Sequence, residues 1–301
     1  MTRFIDLSTK NPSSFGKVAA TLFIVLLVYF MGGSGLLFDF LQTSSSPVVE
    51  KNVPMSDFID VLGNNRVLFW LLLPFVLVFF TFLGAVKWIH KRKIGSFFTG
   101  REYFDWSRVF TSFFLLFVVL SVTTGFQIFA TESFQWNFHP DKFIFLLIIA
   151  VIMIPIQTTI EELLFRGYLM QGLKTKLSSG KYAVVLSGIF FGLIHFWNPE
   201  IEAIGYHVLI YYVGTGVFLG CLALFDNGLE LSVGYHAANN IFAALFVSND
   251  WQVFQTDALY IDHAPPGLSW LSLIFGLLIF VAMLLFFRKR YGWKNMKEYW
   301  A

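Results

Sequence analysis

Residues 143–167 read FIFLLIIAVIMIPIQTTIEELLFRG, a nearly unbroken apolar run that ends in Glu161, Glu162 and Arg166. A helix needs about 20 mostly apolar residues to cross a bilayer, and this stretch supplies them. Charge inside the membrane is costly, about 2.5–3.5 kcal/mol per residue on insertion scales. Three ionisable groups at the end of such a run either pair with one another or do chemistry. The stretch therefore sets the class as a membrane-spanning helix and marks its charged end as a candidate for function.

The rest of the chain has the same character. Its 301 residues are 56% hydrophobic and only 13% charged, with 38 phenylalanines and a mean hydropathy of +0.67. A soluble domain is about 25% charged. The expected fold class is all-α, a polytopic transmembrane helix bundle of about eight spans, forming one integral membrane domain over residues 1–301. The net charge of +2 gives no case for a nucleic-acid partner. The single cysteine, Cys221, can form neither an internal disulfide nor a thiolate cluster.

The eight spans fall at about residues 17–41, 67–89, 109–130, 143–165, 182–198, 205–225, 233–249 and 268–287. Arg3 and Lys10 precede the first. That run passes through Gly32-Gly33-Ser34-Gly35 to about Leu41, too long for a signal-peptide core, so it reads as a retained span. Thr43-Ser44-Ser45-Ser46-Pro47 opens a flexible outer loop. Basic connections alternate with acidic or neutral ones. His90-Lys91-Arg92-Lys93 with Arg101 and Arg108 is one, Lys174, Lys176 and Lys181 form another, and the tail from Arg288 to Lys297 is the third. This pattern puts both termini in the cytoplasm. Gly188 with Gly192, and Gly216 with Gly220, have the spacing that lets membrane helices approach closely.

Two more polar points interrupt apolar segments: His195 in FFGLIHF, and His236 with Asn240 in GYHAANN. Glu162 and Arg166 are four apart and share a helix face, so they can neutralise one another. Glu161 points about 100° away, without a basic partner on its helix. Burial of an acid disfavours its charged form, the condition for a general base near neutral pH. Taken singly, each group has a bland reading: an anchoring charge cluster, a packing histidine, a hydrogen-bonded staple. Together they are complementary: acid, imidazole, imidazole, amide.

Two chemistries use that set. In one, Glu161 activates a water, His195 orients it, and His236 with Asn240 donates to the oxyanion at a peptide carbonyl. In the other, His195, His236 and Glu161 hold Zn²⁺ and its bound water attacks. The sequence leaves both open. The missing HExxH signature and the poor ligand Asn240 lean toward the metal-free version. His207 is a minor candidate; His90, His139 and His263 lie in connections.

These motifs resemble the CAAX protease and bacteriocin-processing family of intramembrane proteases. Its signature of EExxxR, FxxxH and HxxxN on successive spans is matched by Glu161-Glu162-x-x-x-Arg166, Phe191-x-x-x-His195 and His236-x-x-x-Asn240. The resemblance covers residues 150–245, the expected catalytic core. It implies an intramembrane endopeptidase acting on a membrane-tethered peptide or protein. In it Glu161 would be the base, Glu162 and Arg166 its supporting pair, His195 a water-orienting group or ligand, and His236 and Asn240 the oxyanion donors. The family includes the type II CAAX prenyl endopeptidases and bacterial members. The Phe-rich build looks bacterial, which places the chain in an inner membrane. The alternatives are a proton- or ion-coupled transporter and an inactive self-immunity or scaffold protein.

One tension remains. In straight, centred spans Glu161 and His195 would differ in depth by roughly 15 Å. The repair is a single long helix from Asp141 to Lys176, kinked near Pro155, and a fifth span that starts well below the bilayer.

Overall fold

A computed structural model describes residues 3–9, 12–44, 53–294 and 296–300. Beyond Ser44, the expected flexible loop lies outside the described residues. Twelve helices follow one another among them: α1 (Phe15–Thr43), α2 (Met55–Leu62), α3 (Asn64–Trp88), α4 (Trp106–Ala130), α5 (Pro140–Glu162), α6 (Gln171–Leu177), α7 (Gly180–Ile194), α8 (Pro199–Ile204), α9 (Val208–Phe225), α10 (Glu230–Leu245), α11 (Trp270–Tyr291) and α12 (Met296–Trp300). Among the described residues, seven helical stretches are long and apolar enough to cross a membrane, so the chain is an all-α polytopic membrane protein.

Local chemistry sets several ends. The Asp105 carboxylate accepts from Ser107 N at 3.0 Å and opens α4. Ser269 does the same for α11 through Ser272 N at 3.0 Å. Pro140 stands in the first turn of α5, where its missing N–H costs nothing. Gly292, with φ of 64°, ends α11.

The fourth span is longer than hydropathy alone indicates. Helical geometry runs without a break from Pro140 to Leu177, 38 residues, as the depth argument requires. The helix passes through Pro155. Its irregularity comes later, in a π-helical stretch over Leu163–Met170. Such stretches cluster at functional sites.

The expected seventh span is different in kind. It forms the 16-residue α10, which is buried throughout except for half-buried Asn239, Asn240 and Ala243. It packs against α4, α5 and α9. Surrounded by protein, it needs neither the length nor the apolarity of a lipid-facing span. This interior helix carries His236 and Asn240.

α7 and α9 pack through their glycines. A Cβ on Gly188 would come within 2.6 Å of Val217 N, and one on Gly216 within 2.6 Å of Gly188 O. Only glycine lets these backbones meet.

A small sheet caps one end of the bundle. β1 (Phe134–Trp136) pairs antiparallel with β3 (Tyr260–Asp262), and β2 (Val247–Ser248) pairs parallel with β3. The opposite end gathers the basic connections. There Arg101 reaches Asp226 at 3.0 Å and Glu230 at 3.0 Å, Arg108 also pairs with Asp226, and Trp293 Nε1 donates to Asp226 at 3.1 Å. Phe4 and Ile5 are buried, and Phe4 N donates to Asn227 Oδ1. The N-terminal turn and the C-terminal tail thus meet at this end.

Candidate active site

The π-helical stretch places Arg166 at the centre of the bundle, with no exposed surface. Its Nη1 donates to Glu162 Oε1 at 2.8 Å. Its Nη2 donates to Gly216 O on α9 at 3.0 Å. The guanidinium also lies 4.4 Å from the Phe191 ring centre on α7. One side chain therefore joins three elements. The Glu162–Arg166 pair expected from its four-residue spacing is present and fully buried.

Glu162 Oε1 carries a second bond, from His236 Nδ1 at 2.9 Å. A carboxylate paired with arginine can only accept, so Nδ1 holds a proton. That turns the other ring nitrogen, Nε2, toward Glu161, whose Oε2 lies 3.7 Å away. Glu161 Oε2 is buried without a hydrogen-bond partner of its own. The depth tension disappears: α5, α7 and α10 converge. Phe191 packs between the two histidines, its ring centre 4.7 Å from that of His195 and 5.8 Å from that of His236.

His195 sits where α7 gives way to a single 3₁₀ turn over His195–Trp197. Its Nδ1 lies 2.7 Å from Phe191 O. A carbonyl only accepts, so Nδ1 is the protonated nitrogen and Nε2 keeps its lone pair. The ring stacks on Tyr212 of α9 at 4.5 Å. All six candidate residues thus lie in one connected region.

Sequence reasoning missed Gln157, which joins two of them. Gln157 Nε2 donates to Glu161 Oε1, and its Oε1 accepts from Asn240 Nδ2 at 3.1 Å. The signal was available: Gln157 is four residues before Glu161, on the same helix face. Tyr212 and the Gly216 carbonyl were also missed. Neither carries a sequence signal in an apolar span. The remaining histidines serve elsewhere. His207 Nε2 meets Leu268 O at 2.9 Å. His90 is buried against Ser13, Thr21 and Tyr168.

Residues 140–242 match the family described as type II CAAX prenyl endopeptidase Rce1-like. That span contains all six candidate residues. The chain is also similar to the uncharacterized protein YyaK of Bacillus subtilis (strain 168), at 30% identity over 239 residues. The aligned part covers 77% of this chain and 78% of YyaK.

The chain belongs to the Rce1-like endopeptidase family.

No solved structure matches it. Membership in the Rce1-like family makes the chain an integral membrane protein of a protease family. The match ends inside α10, so α1–α4 and α11 lie outside it.

The zinc alternative depends on three donors converging. Among the described residues, no three His, Cys, Asp or Glu side chains group so as to hold an ion. His236 Nδ1 faces Glu162 and His195 Nδ1 a backbone carbonyl, which leaves Nε2 of each ring as the nitrogen open to a ligand. The described residues thus hold no ready three-donor centre, and two imidazole nitrogens are what they offer an ion.

Proposed function

We propose that this protein is an intramembrane endopeptidase that hydrolyses a peptide bond of a membrane-associated protein or peptide with a water activated by Glu161. The observation that carries the reading is the 3.7 Å approach of Glu161 Oε2 to His236 Nε2, backed by the buried Glu162–Arg166 pair.

Charge balance assigns the roles. Glu161, Glu162 and Arg166 together carry one net negative charge. A buried net charge is costly, and one proton shared by Glu161 and His236 removes it. With that proton on His236, the imidazolium donates from both nitrogens and Glu161 is a free base. We assign His195 Nε2, which keeps its lone pair, as the second acceptor for a water held at Glu161 Oε2. As the water oxygen bonds to the scissile carbonyl carbon, its proton passes to Glu161 Oε2. The oxyanion that forms takes hydrogen bonds from His236 Nε2 and from the second amide hydrogen of Asn240. Glu161 then returns the proton to the amide nitrogen as the carbon–nitrogen bond breaks. Water is consumed, and an acid and an amine leave.

The Lys and Arg content of the basic end of the bundle, where both termini meet, supports a cytoplasmic placement, and the Phe-rich build a bacterial inner membrane. Residues 150–245 form the catalytic core of one membrane domain. The transporter alternative calls for polar groups at many depths, whereas the six candidates form one compact set.

The test is reconstitution with membrane-tethered peptides. Wild-type protein is expected to cleave, and Glu161→Ala to fold but fail to cleave. Ion flux without cleavage would favour the transporter. Neither activity in wild type would favour the scaffold.

A further inference from the structure

Gln157 lies outside the three motifs, yet it hydrogen-bonds both the proposed base and an oxyanion donor. It is 5% exposed, in the apolar run of α5. Its amide cannot be turned over. Reversal would aim the carbonyl oxygen at the Glu161 carboxylate and the NH₂ group at the NH₂ group of Asn240. Asn240 is oriented from its other end as well, because Asn239 Nδ2 donates to Asn240 Oδ1 at 3.0 Å. Each amide thus has one orientation that satisfies its partners.

Two consequences follow. Glu161 Oε1 is engaged by the Gln157 N–H, which leaves Oε2, unpartnered and facing His236, as the oxygen best placed to take the proton from water. Asn240 spends one amide hydrogen on Gln157, and its second is the one available to a substrate carbonyl.

We propose that Gln157 is a positioning residue that selects Oε2 of Glu161 as the proton-carrying oxygen and holds the free N–H of Asn240 toward the scissile carbonyl. The proposal rests on the endopeptidase reading. It differs from a plain staple between α5 and α10, which would affect stability and leave the chemical step alone.

The test compares Gln157→Met, of similar length without polar atoms, and Gln157→Glu, of the same shape, with wild type and Glu161→Gln. Cleavage of a membrane-tethered peptide is followed across pH, and the melting temperature is recorded in parallel. Gln157→Met is expected to lower kcat by about tenfold to a hundredfold, the scale of a misplaced reacting group, with KM little changed. Gln157→Glu can donate only while its own carboxyl is protonated. Its activity is expected to survive at low pH and to fall as pH rises, where wild type stays active. Infrared spectroscopy gives a readout independent of cleavage. The carboxylate stretch of Glu161, identified by its loss in Glu161→Gln, is expected to shift in Gln157→Met.

Wild-type kcat and pH profile in both variants would overturn the proposal, as would a change confined to melting temperature. If Gln157→Met does not fold, Gln157→Glu decides. Wild-type protein that cleaves no peptide would overturn the endopeptidase reading instead. The infrared shift then decides for or against the Gln157–Glu161 link by itself.

Discussion

Glu161 and Glu162 are adjacent and chemically alike, yet their surroundings give them different work. Glu162 is held by Arg166 at 2.8 Å and by His236 at 2.9 Å. Both carboxylates keep an unpartnered Oε2, but Glu161 Oε1 is held only by the neutral amide of Gln157 and no arginine pairs with it. This division was legible in the sequence, because only Glu162 has a base four residues along the helix. Gln157 had a signal too, standing four residues before Glu161 on the same face, but a lone amide beside Thr158 and Thr159 draws less notice than a charge. The division has a measurable consequence. Breaking a buried ion pair by removing one partner costs about 3–5 kcal/mol. Arg166→Met is therefore expected to lower stability in detergent strongly, while Glu161→Gln leaves it near wild type and removes cleavage. Equal melting temperatures for the two variants would contradict the assignment.

At the scale of elements, three features bring the residues together. The long α5 carries its charges deep into the bundle, the α7–α9 glycines close the gap beside it, and α10 fills the centre. The first two were readable from a run of hydropathy and from glycine spacing. The π-helical stretch was not, since nothing in LLFRGYLM marks where a helix widens. α10 read as a span because apolar composition alone does not separate a lipid-facing helix from one buried in protein. The glycine contact is directly testable. Overpacking a tight contact costs about 1–3 kcal/mol, so Gly188→Leu is expected to lower both stability and cleavage. Gly172 has nothing within 4 Å of its would-be Cβ. Gly172→Ala is therefore expected to be neutral or to stabilise by about 0.5–1 kcal/mol. A neutral Gly188→Leu would show that α7 and α9 do not need their close approach.

At the scale of the whole molecule, composition alone established the membrane class and nearly all the spans. The joining of the two termini was invisible to it, because it depends on side chains far apart in sequence, such as Arg101 with Asp226. Near that end, His90 links the chain after α3 to Ser13, Thr21 and Tyr168. Burial, with Arg92 and Lys17 nearby, pushes its imidazole below the ordinary value of 6.5. The folded protein then binds fewer protons than the unfolded chain between that lowered value and 6.5. Stability is expected to be lost as pH falls below about 6.5. His90→Gln is expected to flatten the dependence of melting temperature on pH in that window; an unchanged slope would show that His90 does not contribute. Under the proposed mechanism, in which Glu161 activates the water without a metal, cleavage is expected to persist after chelation and dialysis. Loss restored only by added Zn²⁺ would reverse that.

The central claim is that Glu161 and His236 act as one proton-sharing unit on one water, and a double-mutant cycle on kcat tests it most directly. Residues that act as a unit are strongly non-additive. Glu161→Gln and His236→Gln are each expected to reduce kcat by about 10²–10⁴-fold, and the double variant to be little worse than either. Losses that multiply, or a His236→Gln variant that cleaves at the wild-type rate, would contradict the claim.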